Sequence, residues 1–135
     1  MTNLALDTSV TVPLLLRRHT DHERVRAVIG DRAITLTGHS QAETYSVLTR
    51  LPGDARLEPD DAARLLSTGF ASPLLIDPET LATLPSRLAA RHVAGGAVYD
   101  ALVGLATVDT GAMLLTRDRR AAATYAALGV QFQFV

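Results

Sequence analysis

GGAVYDALVGLATVDTGAMLLTRDRR, residues 95–120, decides the fold. Gly95-Gly96 frees the backbone ahead of a helix that carries Asp100 in its first turns and ends near Thr110-Gly111. A short apolar strand, Ala112-Met113-Leu114-Leu115, follows, and Thr116-Arg117-Asp118 comes straight after it. A helix that feeds a short, wholly apolar strand and then another helix start predicts an α/β domain with a mainly parallel sheet.

The same alternation runs outward in both directions. Upstream, Asn3-Leu4-Ala5-Leu6 reads as a buried strand ended by Asp7-Thr8-Ser9, and a helix from Val10 to Arg18 tolerates Pro13 in its early turns. Arg17 and Arg18 read as cations ending it. Thr20 and Asp21 cap a second helix with an apolar stripe of Val25, Val28 and Ile29. Ala33 to Thr37 is a second strand, followed by a helix from Ser40 to about Leu51. Pro59 to Thr68 is a further helix, Leu74-Leu75-Ile76 a third apolar run, and Pro78 opens a helix toward His92, broken at Pro85. Downstream, a helix from Arg119 to Leu128 stops at Gly129. Val130 to Phe134 then alternates apolar and polar residues, so it predicts an edge strand with one buried face. The expectation is one three-layer α/β domain over residues 1–135, without repeats or linkers.

Composition narrows the function. The chain has 135 residues, no cysteine and a net charge of −1. Those values exclude disulfides and thiol catalysis, and they argue against a generic nucleic-acid coat. All positive charge is arginine, because there is no lysine. No apolar run is long enough for a membrane span. The N-terminus, MTNLALDTS, has no basic start and carries Asp7, which predicts no signal peptide and a cytoplasmic location.

In a parallel sheet the strand C-termini share one edge with the helix N-termini that follow, and ligands bind there. Asp7, Glu43 and Asp118 each lie just after an apolar strand, so connectivity turns all three to that edge. Asp100 follows a helix, and periodicity alone does not bring it there. Each acid also has a plain structural reading, since carboxylates cap helix N-termini. Ser40-Gln41-Ala42-Glu43 fits the capping-box pattern, and Asp77 before Pro78 is a simple cap. Together, however, carboxylates about 4 Å apart repel by roughly 4 kcal/mol at an effective dielectric near 20. Such a group must be protonated, paired or neutralised, and oxygen-only donors select Mg²⁺ or Mn²⁺ over zinc.

Arg117, Arg119 and Arg120 flank Asp118 and offer contact with phosphate or with a partner. The alternative is a solvated first turn of the last helix, where Arg119 and Arg120 would oppose the helix dipole. His19 and His22 straddle a helix start with no third ligand in view, which argues against zinc, and His39, two residues past a strand, reads as a loop residue, with lining the site as the alternative.

Four blocks then carry a resemblance: LALDTS (residues 4–9), HSQAE (39–43), VYDALVGLA (98–106) and GAMLLTRDRR (111–120). They resemble the acidic blocks of the PIN domain, and more narrowly those of the VapC-type toxins of type II toxin–antitoxin pairs. The likeness runs from Leu4 to Val135 in the order and spacing of the acids. It implies a PIN-like α/β/α fold and a Mg²⁺- or Mn²⁺-dependent endoribonuclease. Asp7, Glu43, Asp100 and Asp118 would then be the catalytic and metal-holding acids, with Ser9 and Thr116 hydrogen-bonded behind them. The implied chemistry is attack of metal-activated water on an RNA phosphodiester, leaving a 5′-phosphate and a 3′-hydroxyl. A cognate antitoxin and a homodimer are implied as well. Two rival readings stand beside it. A metal-dependent phosphatase would use Asp7 as nucleophile, but Ser9 replaces the acid expected two residues on and the usual lysine is missing. A non-catalytic PIN-like scaffold would keep the acids as caps.

Overall fold

Strand β1 (Leu4–Leu6) is buried on both faces, and the rest of the molecule is arranged about it. The computed structural model describes residues 3–135, so the first two residues of the N-terminal stretch lie outside it. β1 pairs in parallel with β2 (Ile34–Thr37) on one side and β4 (Met113–Thr116) on the other. β3 (Ala71–Leu74) and β5 (Phe132–Phe134) are the edges, giving the order β3-β2-β1-β4-β5 with every pair parallel.

Period-two alternation splits the central strands between two cores. Leu4, Leu6 and Leu115 pack with Val10, Val25 and Ile29 of α1 (Thr8–Leu15) and α2 (His22–Ile29). Ala5 and Leu114 pack on the other face with Leu88, Val103 and Tyr125. These come from α6 (Leu84–Ala90), α7 (Ala97–Thr107) and α8 (Ala122–Ala127), and the result is a sheet between two helical layers. Between β2 and β3 run α3 (Gly38–Thr49), a 3-10 turn (Gly53–Ala55) and α4 (Pro59–Thr68), and α5 (Pro78–Ala82) follows β3.

Several boundaries differ from the sequence expectation. β3 begins three residues before the apolar run Leu74-Leu75-Ile76 and takes in only Leu74 of it, and Leu75 is largely exposed. Pairing with β2 decides this, because Thr35 and Thr37 align with Ala71 and Leu74, and Thr35 Oγ1 donates to the Ser72 carbonyl at 2.8 Å. Pro73 is tolerated because β3 is an edge. The first helix ends at Leu15, so Arg17 and Arg18 lie beyond it. The helix after Pro78 breaks at Thr83, and Pro85 sits in the first turn of the next segment instead of ending the one before. α8 begins only at Ala122, which leaves Arg119 and Arg120 in the preceding turn, outside the helix dipole they were expected to oppose.

Candidate active site

Asp7 leaves the C-terminal end of β1 at the N-cap position of α1, yet its side chain makes no capping hydrogen bond. It is 5% exposed, and its carboxylate is held by hydroxyls. Ser9 Oγ donates to Oδ1 at 2.5 Å and the Tyr125 hydroxyl donates to Oδ2 at 3.0 Å. Burial pushes the Asp7 carboxyl above its usual range, and bonds from Ser9, Thr116 and Tyr125 oppose that shift. Desolvation, together with the neighbouring Asp7 carboxylate, in turn holds the Tyr125 phenol firmly protonated.

Asp118 arrives on the neighbouring strand. Leu6 of β1 is in register with Leu115 of β4, and the Asp7 amide donates to the Leu115 carbonyl at 3.2 Å. Asp118 therefore lies in the turn just beyond the strand end that abuts Asp7. Thr116 Oγ1 accepts from the Asp118 amide at 3.1 Å, and Asp118 Oδ1 accepts from the Arg120 amide at 2.9 Å and from its guanidinium at 3.3 Å. Ser9 Oγ joins the two strand ends a second time by accepting from the Arg117 amide at 2.8 Å.

Arg117 is committed elsewhere. Its guanidinium donates to the Ser9 carbonyl at 3.1 Å and pairs with Asp21, which also holds Arg24. Arg119 lies over the ring of Phe134 at 4.4 Å, and the Arg120 side chain is almost wholly exposed. Of the three arginines flanking Asp118, only Arg119 and Arg120 present themselves near the surface.

Asp100 lies in the first turn of α7, and Gly96 occupies the N-cap position ahead of it. Its carboxyl is pushed up by partial burial and by the charges of Asp118, Asp7 and Glu43, with Arg120 opposing them. This coupling joins all four acids into one electrostatic neighbourhood, including the one that strand order alone could not place. Glu43 is on α3, in the turn after its start, and Oε2 lies 3.1 Å from His39 Nε2. The capping box of α3 is formed by Thr37 and Ser40, three residues earlier than the Ser40/Glu43 pairing read from sequence, so Glu43 is released from capping. His39 is a first-turn helix residue and not a loop residue, and its ring stacks on Tyr99.

Among the described residues, no three His, Asp or Glu side chains form a closed ligand cage. Three of the carboxylates meet a local partner: Asp118 the Arg120 guanidinium, Glu43 the His39 ring, and Asp7 the Ser9 and Tyr125 hydroxyls. The four side chains offer carboxylate oxygens, the donor type that a hard divalent cation takes. His19 and His22 do not contribute, since His19 Nδ1 accepts from the Asp21 amide and His22 Nδ1 bonds the Pro13 carbonyl. Asp77 accepts from the Thr80 amide as the simple cap its sequence predicts.

Tyr125 is the residue that sequence reading missed. Its signal is a single large, polar-tipped side chain in the alanine-rich segment AAATYAALG, since a buried tyrosine hydroxyl needs a partner. The Asp21–Arg117 pair was unreadable, because it joins α2 to the turn after β4 across 96 residues.

A model of the PIN domain family matches residues 4–127. Ribonuclease VapC27 of Mycobacterium tuberculosis is 57% identical over 127 residues, which span 94% of this chain and 93% of that protein. Ribonuclease VapC40 of the same species is 43% identical over 134 residues, covering 98% of both. Among solved structures, VapBC2 from Rickettsia felis bound to a promoter DNA fragment superposes with a TM-score of 0.67 at 10% identity, covering 99% of both chains. FitAB bound to a DNA fragment gives a TM-score of 0.66 at 19% identity, covering 97% of this chain and 94% of that one. At those identities the two structures establish a shared fold. No helix among the described residues is long and apolar enough to cross a membrane.

Proposed function

This chain belongs to the PIN-domain family, and within it to the VapC-type ribonuclease toxins; on that premise we propose that it is an endoribonuclease dependent on Mg²⁺ or Mn²⁺. One observation supports the metal requirement: the Asp100 carboxyl is raised by partial burial and then by the charges of Asp118, Asp7 and Glu43, with Arg120 opposing. Such crowding is relieved by protonation, by pairing or by a cation, and oxygen-only donors favour a hard divalent cation. Once bound, such an ion neutralises charge at the phosphodiester and activates the attacking water.

The chain's own residues do the rest. Asp7, Asp100, Asp118 and Glu43 hold the cation. Ser9 and Tyr125 fix both oxygens of Asp7 in one orientation, with Thr116 supporting them, and their hydrogen bonds favour its ionised form against burial. Arg117, locked by Asp21 and the Ser9 carbonyl, holds the turn that presents Asp118. Arg119 and Arg120 are the exposed arginines placed to meet RNA phosphates, Arg120 by exchanging its contact with Asp118.

Cleavage of a fluorogenic single-stranded RNA, with para-nitrophenyl phosphate as the competing substrate, tests this reading. The expected result is RNA hydrolysis with Mg²⁺ or Mn²⁺, none with a chelator, and no turnover of the small ester. RNA hydrolysis undiminished by the chelator would overturn the metal requirement, and turnover of the ester alone would restore the phosphatase.

A toxin of this type needs an antitoxin, and the VapC-type membership of this chain is what supports one here. A groove of 590 Å³ between α3, α4 and β3, lined by Tyr45, Leu66, Phe70 and Pro73, offers apolar surface to such a partner. Homodimerisation is part of the same proposal, and a monomer at every concentration in light scattering would remove it.

A further inference from the structure

We propose that Tyr99 is a nucleobase platform, on whose open face a base of single-stranded RNA stacks beside the scissile phosphate. The inference rests on the ribonuclease reading above and adds to it a contact that the acids do not make.

Tyr99 is 60% exposed. Exposed aromatic area costs roughly 25 cal/mol per Å² relative to burial, so folding alone does not favour this placement. The ring is nevertheless held in position. His39 lies against one side of it, with centroids 5.7 Å apart and planes 19° from parallel. His39 is itself anchored by Glu43 at 3.1 Å. α3 therefore supports Tyr99 from one side, and the ring remains open to solvent elsewhere.

Its position relative to the acids is fixed by the chain. Tyr99 and Asp100 are adjacent in the first turn of α7, where successive side chains diverge by about 100° around the helix. One can join the carboxylates while the other stands at their rim. Glu43, which steadies the platform through His39, is also among the acids coupled to Asp100. An RNA strand whose phosphate lies over the acids thus passes a flat aromatic surface at once.

The charge balance gives the platform its purpose. A chain of net charge −1 with four acids at its site gains little affinity from phosphate neutralisation, which dominates binding by basic proteins. Stacking is independent of charge and accepts any base, because every base has a π face. It also suits single strands, whose bases are free to stack.

The chain has no tryptophan, so Tyr99→Trp installs a unique fluorophore at the platform. Its emission is titrated with a single-stranded RNA dodecamer and with an abasic strand of the same length, using Ca²⁺ in place of Mg²⁺ to slow hydrolysis. Quenching by the RNA and not by the abasic strand is expected. In cleavage assays Tyr99→Ala should raise KM roughly tenfold with kcat little changed, while Tyr99→Phe stays near wild type. A melting curve for Tyr99→Ala excludes a folding defect. A KM within twofold of wild type for Tyr99→Ala, or unmoved Trp emission in a protein that cuts RNA, would overturn the platform and leave the nuclease intact. Quenching by RNA in a protein that cuts none would support the platform while the nuclease reading fails. Loss of a co-expressed protein partner in Tyr99→Ala, with RNA KM unchanged, would assign the ring to a protein interface instead.

Discussion

Asp7 is a carboxylate placed where water cannot solvate it, with Ser9 and Tyr125 each donating to one of its oxygens. Hydrogen bonds to a charged group contribute about 1.5–3 kcal/mol, so their loss is felt in the ionisation of Asp7. Tyr125→Phe keeps the ring and removes the donor. Its kcat/KM should fall roughly tenfold, and because one influence lowering the Asp7 pKa is gone, the acid limb of the pH–rate profile should move to higher pH. A uniform loss without movement of that limb would make Tyr125 a packing residue only. Asp100 gives the matching stability prediction. Its folded pKa lies above its ordinary value of 3.8 because ionisation meets burial and three like charges. The stability this confers is present below the unfolded value and is lost as pH rises through the folded one. Without divalent ions, Asp100→Asn should therefore melt a few degrees above wild type at pH 7, with the difference shrinking toward pH 4. Saturating Mn²⁺, at about 100 times its Kd, should stabilise wild type by roughly 2.7 kcal/mol and the variant much less. A thermal-shift series across pH, with and without Mn²⁺, checks both halves.

At the scale of elements, Gly104 sets how closely α7 approaches the last helix. A Cβ there would lie 3.1 Å from both Leu128 Cδ1 and Val130 Cγ2, and 3.4 Å from the Tyr125 ring. Gly104→Val should cost about 2 kcal/mol by overpacking, read by denaturant unfolding. It should also lower activity, because Asp100 is one turn up the same helix and Tyr125 faces the same contact. Those contacts show where sequence reading succeeds and where it stops. The buried strands Leu4–Leu6 and Met113–Thr116 were legible because a strand covered on both faces is continuously apolar. β3 was misplaced for the complementary reason: an exposed edge strand needs no apolar run, and of the apolar run only Leu74 joined the strand. The start of α3 slipped because Thr37 took the N-cap expected of Ser40. Asp7 and Asp118 could be gathered from strand order alone. Asp100 could be assigned only by resemblance, because a helix N-terminus is brought to a sheet edge by tertiary packing that no local pattern encodes.

Over the whole molecule, five parallel strands aim their C-termini the same way, and α3 and α7 close over that edge with one acid each. On the proposed reading, this arrangement gathers the four carboxylates for a divalent cation. Calorimetric titration with Mn²⁺ is the most direct test of that arrangement, applied to wild type and to Asp7→Asn, Asp100→Asn and Asp118→Asn, each first shown to be folded. The account predicts saturable binding by the wild type, weakened roughly tenfold or more by every one of the three changes. Wild-type affinity retained in all three variants, or no Mn²⁺ binding by the folded wild type, would contradict it.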